Sequence, residues 1–146
     1  MMSMRVPSNL FVLVNKSLLY PAVARIQTDG SYSYKTGISR TAAILTVGSS
    51  ETRYIKTYVD HMNSMESEWA SLVDGLEYSN KKSLKCLIME NDCLPIISSI
   101  VLNKAPTNPI FLDYYKYFNS LTTGYKWLGI RWIPREINQA DDLFRV

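Results

Sequence analysis

The hydrophobic pattern of the chain becomes regular at about residue 22. Apolar and β-branched runs predict strands over residues 22–28, 41–48 and 51–59. Gly48-Ser49-Ser50 fits a hairpin connection between the last two of these strands. Three successive strands most simply form an antiparallel meander, so the first half of the domain is predicted to be a sheet.

Helical and strand-like patterns alternate in the second half of the chain. Apolar residues recur every three or four positions from Met65 to Leu76, which predicts an amphipathic helix that Asn63 or Ser64 can cap. Residues 84–89 form an apolar run with few polar interruptions, as expected of a strand buried on both faces. The later predicted elements are a helix over 94–102, a helix over 110–121, a strand over 125–133 and a short helix over 138–144. Strand–helix–strand alternation requires parallel neighbours, so the sequence predicts an α/β fold with a mixed sheet and helices on its faces.

The first 21 residues are predicted to be separate from this domain. Pro7 and Pro21 bracket the region, and residues 10–14 are compatible with a short strand. We therefore expect an N-terminal extension over residues 1–21 and a single domain over residues 22–146, which is long enough to bury a core.

Cysteine usage and hydropathy indicate the class of protein. Cys86 and Cys93 lack the spacing of a metal site and are predicted to be reduced packing residues. No apolar run approaches the ~20 residues needed to cross a bilayer, so we expect a soluble, intracellular, cytoplasmic protein without a membrane partner. The formal net charge of +3 is compatible with a polyanionic partner but does not require one.

Acidic residues occupy the ends of several predicted elements. Asp29 follows the first strand, Asp92 follows the fourth, and Glu68 lies in the first turn of the long helix. The last helix offers Asp141 or Asp142. If the first and fourth strands are parallel neighbours, these carboxylates meet beyond the carboxyl ends of the strands, where open α/β sheets collect functional groups. The alternative for Asp29 is an ordinary hairpin turn, because Asp-Gly is a common turn dipeptide.

Four converging carboxylates repel one another unless cations neutralise them or their pKa values rise. Carboxylate oxygens are hard ligands and favour Mg²⁺ or Mn²⁺. Two such ions about 4 Å apart serve in-line displacement at phosphorus, one activating water and the other stabilising the leaving oxygen. The acidic set therefore predicts a phosphodiester-cleaving enzyme.

The residues around these acids resemble the ribonuclease H type 1 family of the ribonuclease-H-like superfamily, over about residues 26–145. TDGSY is similar to the family's first motif, ESEWASLVDGLEYS to its second, the strand ending at Asn91-Asp92 to its third, and WIPREINQADDLFR to its closing pattern. The resemblance implies a mixed five-stranded sheet, with three antiparallel strands followed by parallel strands and with helices on both faces. It also implies catalytic and metal-binding roles for Asp29, Glu68, Asp92 and Asp141. Glu66 and Asp142 are the alternatives in register to Glu68 and Asp141.

The same resemblance implies an endonuclease that cuts the RNA strand of RNA–DNA hybrids with two Mg²⁺ or Mn²⁺ ions. The backbone near Gly30 and Ser31 is expected to contact the 2′-hydroxyl group that distinguishes RNA from DNA. The remaining expected substrate contacts are Tyr32, Lys35, Asn63, Ser64 and Arg135. Lys35 and Arg40 flank the first active-site loop and are candidates for phosphate contacts. Arg135 and Arg145 bracket the fourth carboxylate and are further candidates. A monomer is favoured.

Several features depart from the family pattern. The loop before the last helix contains Pro134, Arg135 and Glu136 where many members have a catalytic histidine. The only histidine, His61, is expected at the surface or as a helix cap, and residues 32–36 replace the usual Asn-Pro-Gly loop. Two alternative functions remain: a DNA nuclease or junction resolvase of the same fold, and a non-catalytic nucleic-acid-binding domain.

Overall fold

The computed structural model describes residues 24–145 and the backbone of two strands near the N-terminus. These strands, β1 (Met2–Val6) and β2 (Leu10–Val14), pair antiparallel with Met2 opposite Val14. The strand predicted at residues 10–14 is thereby confirmed. The predicted boundary between residues 21 and 22 lies outside the described residues.

A mixed five-stranded sheet forms the centre of the described part of the chain. Its strands are β3 (Ala24–Tyr32), β4 (Ser39–Val47), β5 (Ser50–Tyr58), β6 (Cys86–Asn91) and β7 (Trp127–Trp132). The spatial order is β5-β4-β3-β6-β7, in which β3, β4 and β5 are antiparallel and β6 and β7 continue the sheet in parallel with β3. The predicted α/β fold with a mixed sheet is confirmed.

Helices cover both faces of this sheet. They are α1 (Ser64–Lys81), α2 (Leu94–Val101), α3 (Pro109–Thr122), a short 3₁₀ helix (Arg135–Ile137) and a terminal 3₁₀ helix (Gln139–Arg145). Asn63 caps α1, because its side-chain oxygen accepts a hydrogen bond from the backbone N–H of Glu66. The short helix predicted over residues 138–144 is present as the terminal 3₁₀ helix. Among the described residues, no helix combines the length and the apolar composition needed to cross a membrane.

The two faces of the sheet have separate apolar cores, because side chains alternate along each strand. On β4, Ala43 and Leu45 pack with the α-helices, whereas Ala42 and Ile44 pack against the terminal 3₁₀ helix. The larger core, between the sheet and the α-helices, contains Ile26, Trp69, Leu72, Leu76, Leu87, Met89, Ile96, Ile97, Ile100, Phe118, Leu128 and Ile130 among its buried residues. The smaller core is completed by Ala140 and Leu143.

The strand that contains Asp29 extends further than the predicted strand over residues 22–28. β3 continues to Tyr32, and Asp29 pairs with Ala42 inside the antiparallel ladder, so the prediction that Asp29 follows the strand was wrong. The turn between β3 and β4 is confined to residues 33–38. Backbone pairing with β4 continues past the last apolar residue, and the apolar pattern alone could not indicate this.

His61 does not lie at the surface, contrary to expectation. Its side chain is buried, with Nδ1 2.8 Å from Ser39 Oγ and the ring stacked on Tyr58 at 4.2 Å between centroids. The segment that joins β5 to α1 folds over the start of β4, so that the imidazole ring fills a polar interior position. Asn63 takes the capping role instead.

Glu90 is the centre of a buried polar network on the face of the sheet that carries the terminal 3₁₀ helix. Its carboxylate accepts hydrogen bonds from Gln27 Nε2 at 2.9 Å and from Arg131 Nε at 2.7 Å, and Arg25 Nε lies 3.7 Å away. The side-chain oxygen of Gln27 in turn accepts a hydrogen bond from the backbone N–H of Gln139 at 3.0 Å. Glu90 therefore connects three strands with the helix that carries Asp141.

We predict that Glu90→Ala lowers the free energy of unfolding by about 2–3 kcal/mol, because it leaves Gln27 and two arginines without their shared acceptor. The cost is smaller than for a fully enclosed ion pair, since both arginine side chains reach solvent. Urea unfolding monitored by circular dichroism measures the change. The matched control is Glu51→Ala, which removes an exposed partner of Arg53 and should cost less than about 1 kcal/mol. Equal effects of the two substitutions would contradict a structural role of the network.

Candidate metal centre

Three carboxylate groups meet at the edge of the sheet where β3 and β6 run side by side. Asp29 lies in β3, Asp92 directly follows β6, and Glu68 projects from the second turn of α1, which packs over β3. One oxygen from each carboxylate lies within 4.8 Å of the other two. The parallel pairing of β3 and β6 is as predicted, and it places the first and third acids next to each other.

Gly30 allows α1 to approach β3 closely enough to bring Glu68 into the cluster. A Cβ atom at residue 30 would clash with the backbone carbonyl of Ser67 and lie 2.7 Å from the backbone nitrogen of Glu68. The backbone N–H of Gly30 donates hydrogen bonds to Asp29 Oδ1 at 3.0 Å and to Glu68 Oε1 at 3.2 Å. The sequence suggested a close approach to substrate at Gly30, but the space that its missing side chain leaves is filled by the helix.

Asp92 is held by two residues that the sequence did not assign to the site. Trp132 Nε1 donates to the backbone carbonyl of Asp92 at 2.9 Å. Asn138 Nδ2 donates to Thr28 O at 2.9 Å and lies 3.4 Å from Asp92 Oδ2. Asn138 belongs to the closing motif, so the sequence motif was the one feature that could have indicated its role. Trp132 belongs to the same motif, but nothing in the sequence pattern indicated its hydrogen bond.

Asp141 adjoins the three clustered carboxylates, whereas Asp142 points away from them. Asp141 is close enough to Asp29 and Asp92 to raise the pKa of both, and its side chain is only 17% exposed. The side chain of Asp142 is 70% exposed and contacts Arg145. The geometry therefore favours Asp141 over Asp142 as the fourth member of the cluster.

Glu66, the alternative in register to Glu68, lies outside the cluster. Its carboxylate accepts hydrogen bonds from the backbone N–H of Met62 at 2.8 Å and from the Tyr114 hydroxyl group at 3.0 Å. These contacts fix the start of α1 against α3. Glu68, two residues later on the helix, faces Asp29.

Burial and mutual repulsion make the clustered carboxyl groups weak acids. Burial, with Glu68, Asp92 and Asp141 adding to it, raises the pKa of Asp29 from 3.8 to about 9. Burial and the charge of Asp92 raise the pKa of Glu68 to about 8, although the Gly30 hydrogen bond opposes the increase. Burial also raises the pKa of Asp92, against the hydrogen bond from Asn138 and the nearby charge of Arg135.

These residues fit a divalent cation with a preference for oxygen ligands. Carboxylates that can ionise together only when a positive charge is present are suited to Mg²⁺ or Mn²⁺. Cys93 lies nearby, but burial raises the pKa of its thiol to about 12, which disfavours the thiolate form that binds metals. The three clustered donor groups are all carboxylates.

The predicted substrate-contact residues surround this cluster at different distances. Ser31 and Tyr32 complete β3 opposite Arg40 and Ser39, and the exposed Lys35 lies in the hairpin turn that follows. The side-chain oxygen of Asn63 is occupied as a helix cap, whereas Ser64 is exposed. Arg135 is exposed and close enough to Asp92 to affect its pKa. Tyr32 packs edge-on against Tyr34, with 4.9 Å between ring centroids.

Comparison with known proteins gives a family and a fold. Residues 27–144 match the family model described as reverse transcriptase-like. No curated protein matches the sequence at a significant level.

Solved structures with this fold include three ribonucleases H of low sequence identity. RNase H1 from the halophilic archaeon Halobacterium salinarum superimposes with a TM-score of 0.75 at 16% identity, over 82% of this chain and 92% of that one. The N-terminal RNase H domain of a Mycobacterium tuberculosis protein superimposes with a TM-score of 0.71 at 18% identity, over 82% of this chain and 88% of that one. LC11-RNase H1, isolated from compost by a metagenomic approach and solved in complex with an RNA/DNA hybrid, gives 0.68 at 18% identity, over 82% and 92%. At these identities the likeness shows the fold.

We predict that the metal-free protein loses stability as the pH rises from about 4 to about 9. Unfolded Asp29 and Glu68 ionise near pH 4, whereas the folded protein keeps their protons to about pH 9 and 8. Between these limits the folded state binds more protons, so the free energy of unfolding falls with increasing pH. Each pH unit costs about 1.4 kcal/mol for each such group, and a loss of at least about 2 kcal/mol is expected between about pH 5 and pH 8.

Thermal unfolding in EDTA at the two pH values measures this loss. Asp29→Asn should unfold at a higher temperature than the unmodified protein at the higher pH, because it removes a carboxyl group without changing its size. The exposed Asp142→Asn is the matched control and should have little effect. Added Mg²⁺ should stabilise the unmodified protein more than Asp29→Asn. A stability that does not depend on pH in EDTA would show that the carboxyl groups are not close together.

Proposed function

Since the chain belongs to the reverse transcriptase-like family and has a ribonuclease H-like fold, we propose that it is a metal-dependent endonuclease that cleaves the RNA strand of RNA–DNA hybrids. The observation that carries this proposal is the convergence of Asp29, Glu68 and Asp92 within 4.8 Å, with Asp141 beside them. A binding domain would gain nothing from placing clustered negative charge where phosphate groups must approach.

In this proposal Asp29, Glu68, Asp92 and Asp141 hold two divalent cations, Mg²⁺ or Mn²⁺. Such cations supply an activated water nucleophile and stabilise negative charge on phosphate oxygens. The protein contributes the orientation of the ligands. The Gly30 N–H group fixes the carboxylates of Asp29 and Glu68, while Asn138 and Trp132 fix Asp92. Fixed ligands hold the cations without a reorganisation cost during the reaction.

The RNA strand is proposed to lie along β3 and the start of the β3–β4 hairpin. The backbone at Gly30 and Ser31 is next to the cluster and is the proposed contact for a 2′-hydroxyl group. Tyr32 and Lys35 follow along the same hairpin and are proposed to contact sugar and phosphate. Ser64 at the start of α1 and Arg135 beside Asp92 are the further proposed contacts.

We predict that the protein cleaves a labelled RNA–DNA hybrid in Mg²⁺ or Mn²⁺. Asp29→Asn and Asp92→Asn should each reduce the rate at least ~10²-fold, because each loses several kcal/mol of cation-mediated stabilisation. Asp142→Asn is the matched control and should stay within about twofold of the unmodified rate, since its carboxylate points to solvent. Gel electrophoresis of the cleavage products measures these rates.

The same assay separates the alternatives when duplex RNA, duplex DNA and a four-way junction are included. Cleavage of the junction alone would replace the proposed substrate with that of a resolvase. Binding of the hybrid without cleavage in either metal would indicate a non-catalytic domain. Equal loss of activity in Asp142→Asn and Asp29→Asn would contradict the assignment of the fourth carboxylate.

A further inference from the structure

Arg145 pairs with two adjacent carboxylates, one of which belongs to the cluster. Its Nη2 lies 2.7 Å from Asp141 Oδ2, and its Nη1 lies 3.4 Å from Asp142 Oδ1. All three residues belong to the terminal 3₁₀ helix. The same side chain of Asp141 that approaches Asp29 is thus partly neutralised by a cation of the protein itself.

This ion pair borders a polar cleft of about 280 Å³ that opens beside Asp141. The lining residues are Arg135, Glu136, Asn138, Gln139, Asp141, Asp142 and Arg145. The cleft therefore contains two arginines from opposite ends of the closing motif. It is large enough for a phosphate group, and it is continuous with the carboxylate cluster through Asn138 and Asp141.

Separating Arg145 from Asp141 costs little free energy. The side chain of Arg145 is 68% exposed, and ion pairs of such exposure contribute little to stability. The second contact of the guanidinium group, to Asp142 at 3.4 Å, involves a carboxylate that is 70% exposed and is weak for the same reason. A backbone phosphate offers the planar guanidinium group two non-bridging oxygens for bidentate hydrogen bonds, which makes it a stronger partner than one carboxylate oxygen.

We propose that Arg145 is an exchangeable partner of Asp141. In the free protein its guanidinium group forms an ion pair with Asp141. When nucleic acid enters the cleft, a backbone phosphate replaces Asp141 as the partner of the guanidinium group. Asp141 is then free to bind a divalent cation. This inference rests on the proposed function. It implies that metal binding at the site is regulated by substrate, because nucleic acid in the cleft increases the affinity of the cluster for metal.

The first experiment titrates the protein with MnCl₂ in the absence of nucleic acid, by isothermal titration calorimetry. Arg145→Gln removes the competitor for Asp141 and should bind Mn²⁺ about two- to fivefold more tightly than the unmodified protein. Arg53→Gln is the matched control, because it makes the same change of charge at another exposed, carboxylate-paired arginine on β5. Its affinity for Mn²⁺ should not change.

The second experiment measures binding of a short RNA–DNA hybrid in EDTA at several salt concentrations, by fluorescence anisotropy. Arg145→Gln should bind more weakly, and the slope of log K against log salt should fall in magnitude by about one, as expected for one lost phosphate contact. Arg53→Gln should keep the slope of the unmodified protein.

The outcomes separate this inference from the proposed function. If the unmodified protein binds no Mn²⁺, both fail. If it binds Mn²⁺ and cleaves the hybrid, but Arg145→Gln binds Mn²⁺ equally or more weakly, only the exchange is overturned. An unchanged salt slope in Arg145→Gln would likewise overturn it, because Arg145 would then contact no phosphate.

Discussion

Parallel pairing of β3 with β6 is the constraint on which the candidate site depends. It aligns Ile26 with Met89 and Gln27 with Glu90, and this register brings Asp29 and Asp92 to the same edge of the sheet. A slip of one residue would move every side chain of the strand to the opposite face. The buried polar bonds between Gln27 and Glu90, and between Asn91 Nδ2 and Thr28, are compatible with only one register. The polar interior of the sheet thus specifies the geometry of its edge.

The convergence of acids has an energetic cost that the surrounding structure must offset. Closely spaced carboxylates in a half-buried position raise one another's pKa, so the metal-free cluster retains protons near neutral pH. The Gly30 N–H group and Asn138 supply hydrogen bonds that partly offset this cost. These few hydrogen bonds do not neutralise the cluster as a bound cation would. The site is therefore less stable than the core beneath it, as is common where function requires clustered charge.

The sequence predicted the strands and helices of the core well, because their apolar patterns reflect burial directly. The mixed sheet and the capped start of α1 followed from such patterns. The position of Asp29 inside β3 could not be predicted in this way, since backbone pairing with Ala42 leaves no trace in side-chain hydrophobicity. The buried state of His61 depends on a contact with Ser39, which is distant in sequence, and on the ring of Tyr58 at the end of β5. Likewise, the hydrogen bond of Trp132 to the backbone of Asp92 requires three-dimensional information.

The four acids differ in how firmly the fold holds them. Asp29, Glu68 and Asp92 project from, or directly follow, elements packed in the main core, so their backbone positions are fixed by many buried side chains. Asp141 lies on a short 3₁₀ helix that docks through Ala140 and Leu143 and through hydrogen bonds from Arg40 to Phe144 O and from Gln139 N to Gln27. A helix with so few contacts can shift at lower free-energy cost than α1 or β3. The fourth carboxylate is consequently the position at which neighbouring charges, above all Arg145, have the greatest effect on the geometry of the cluster.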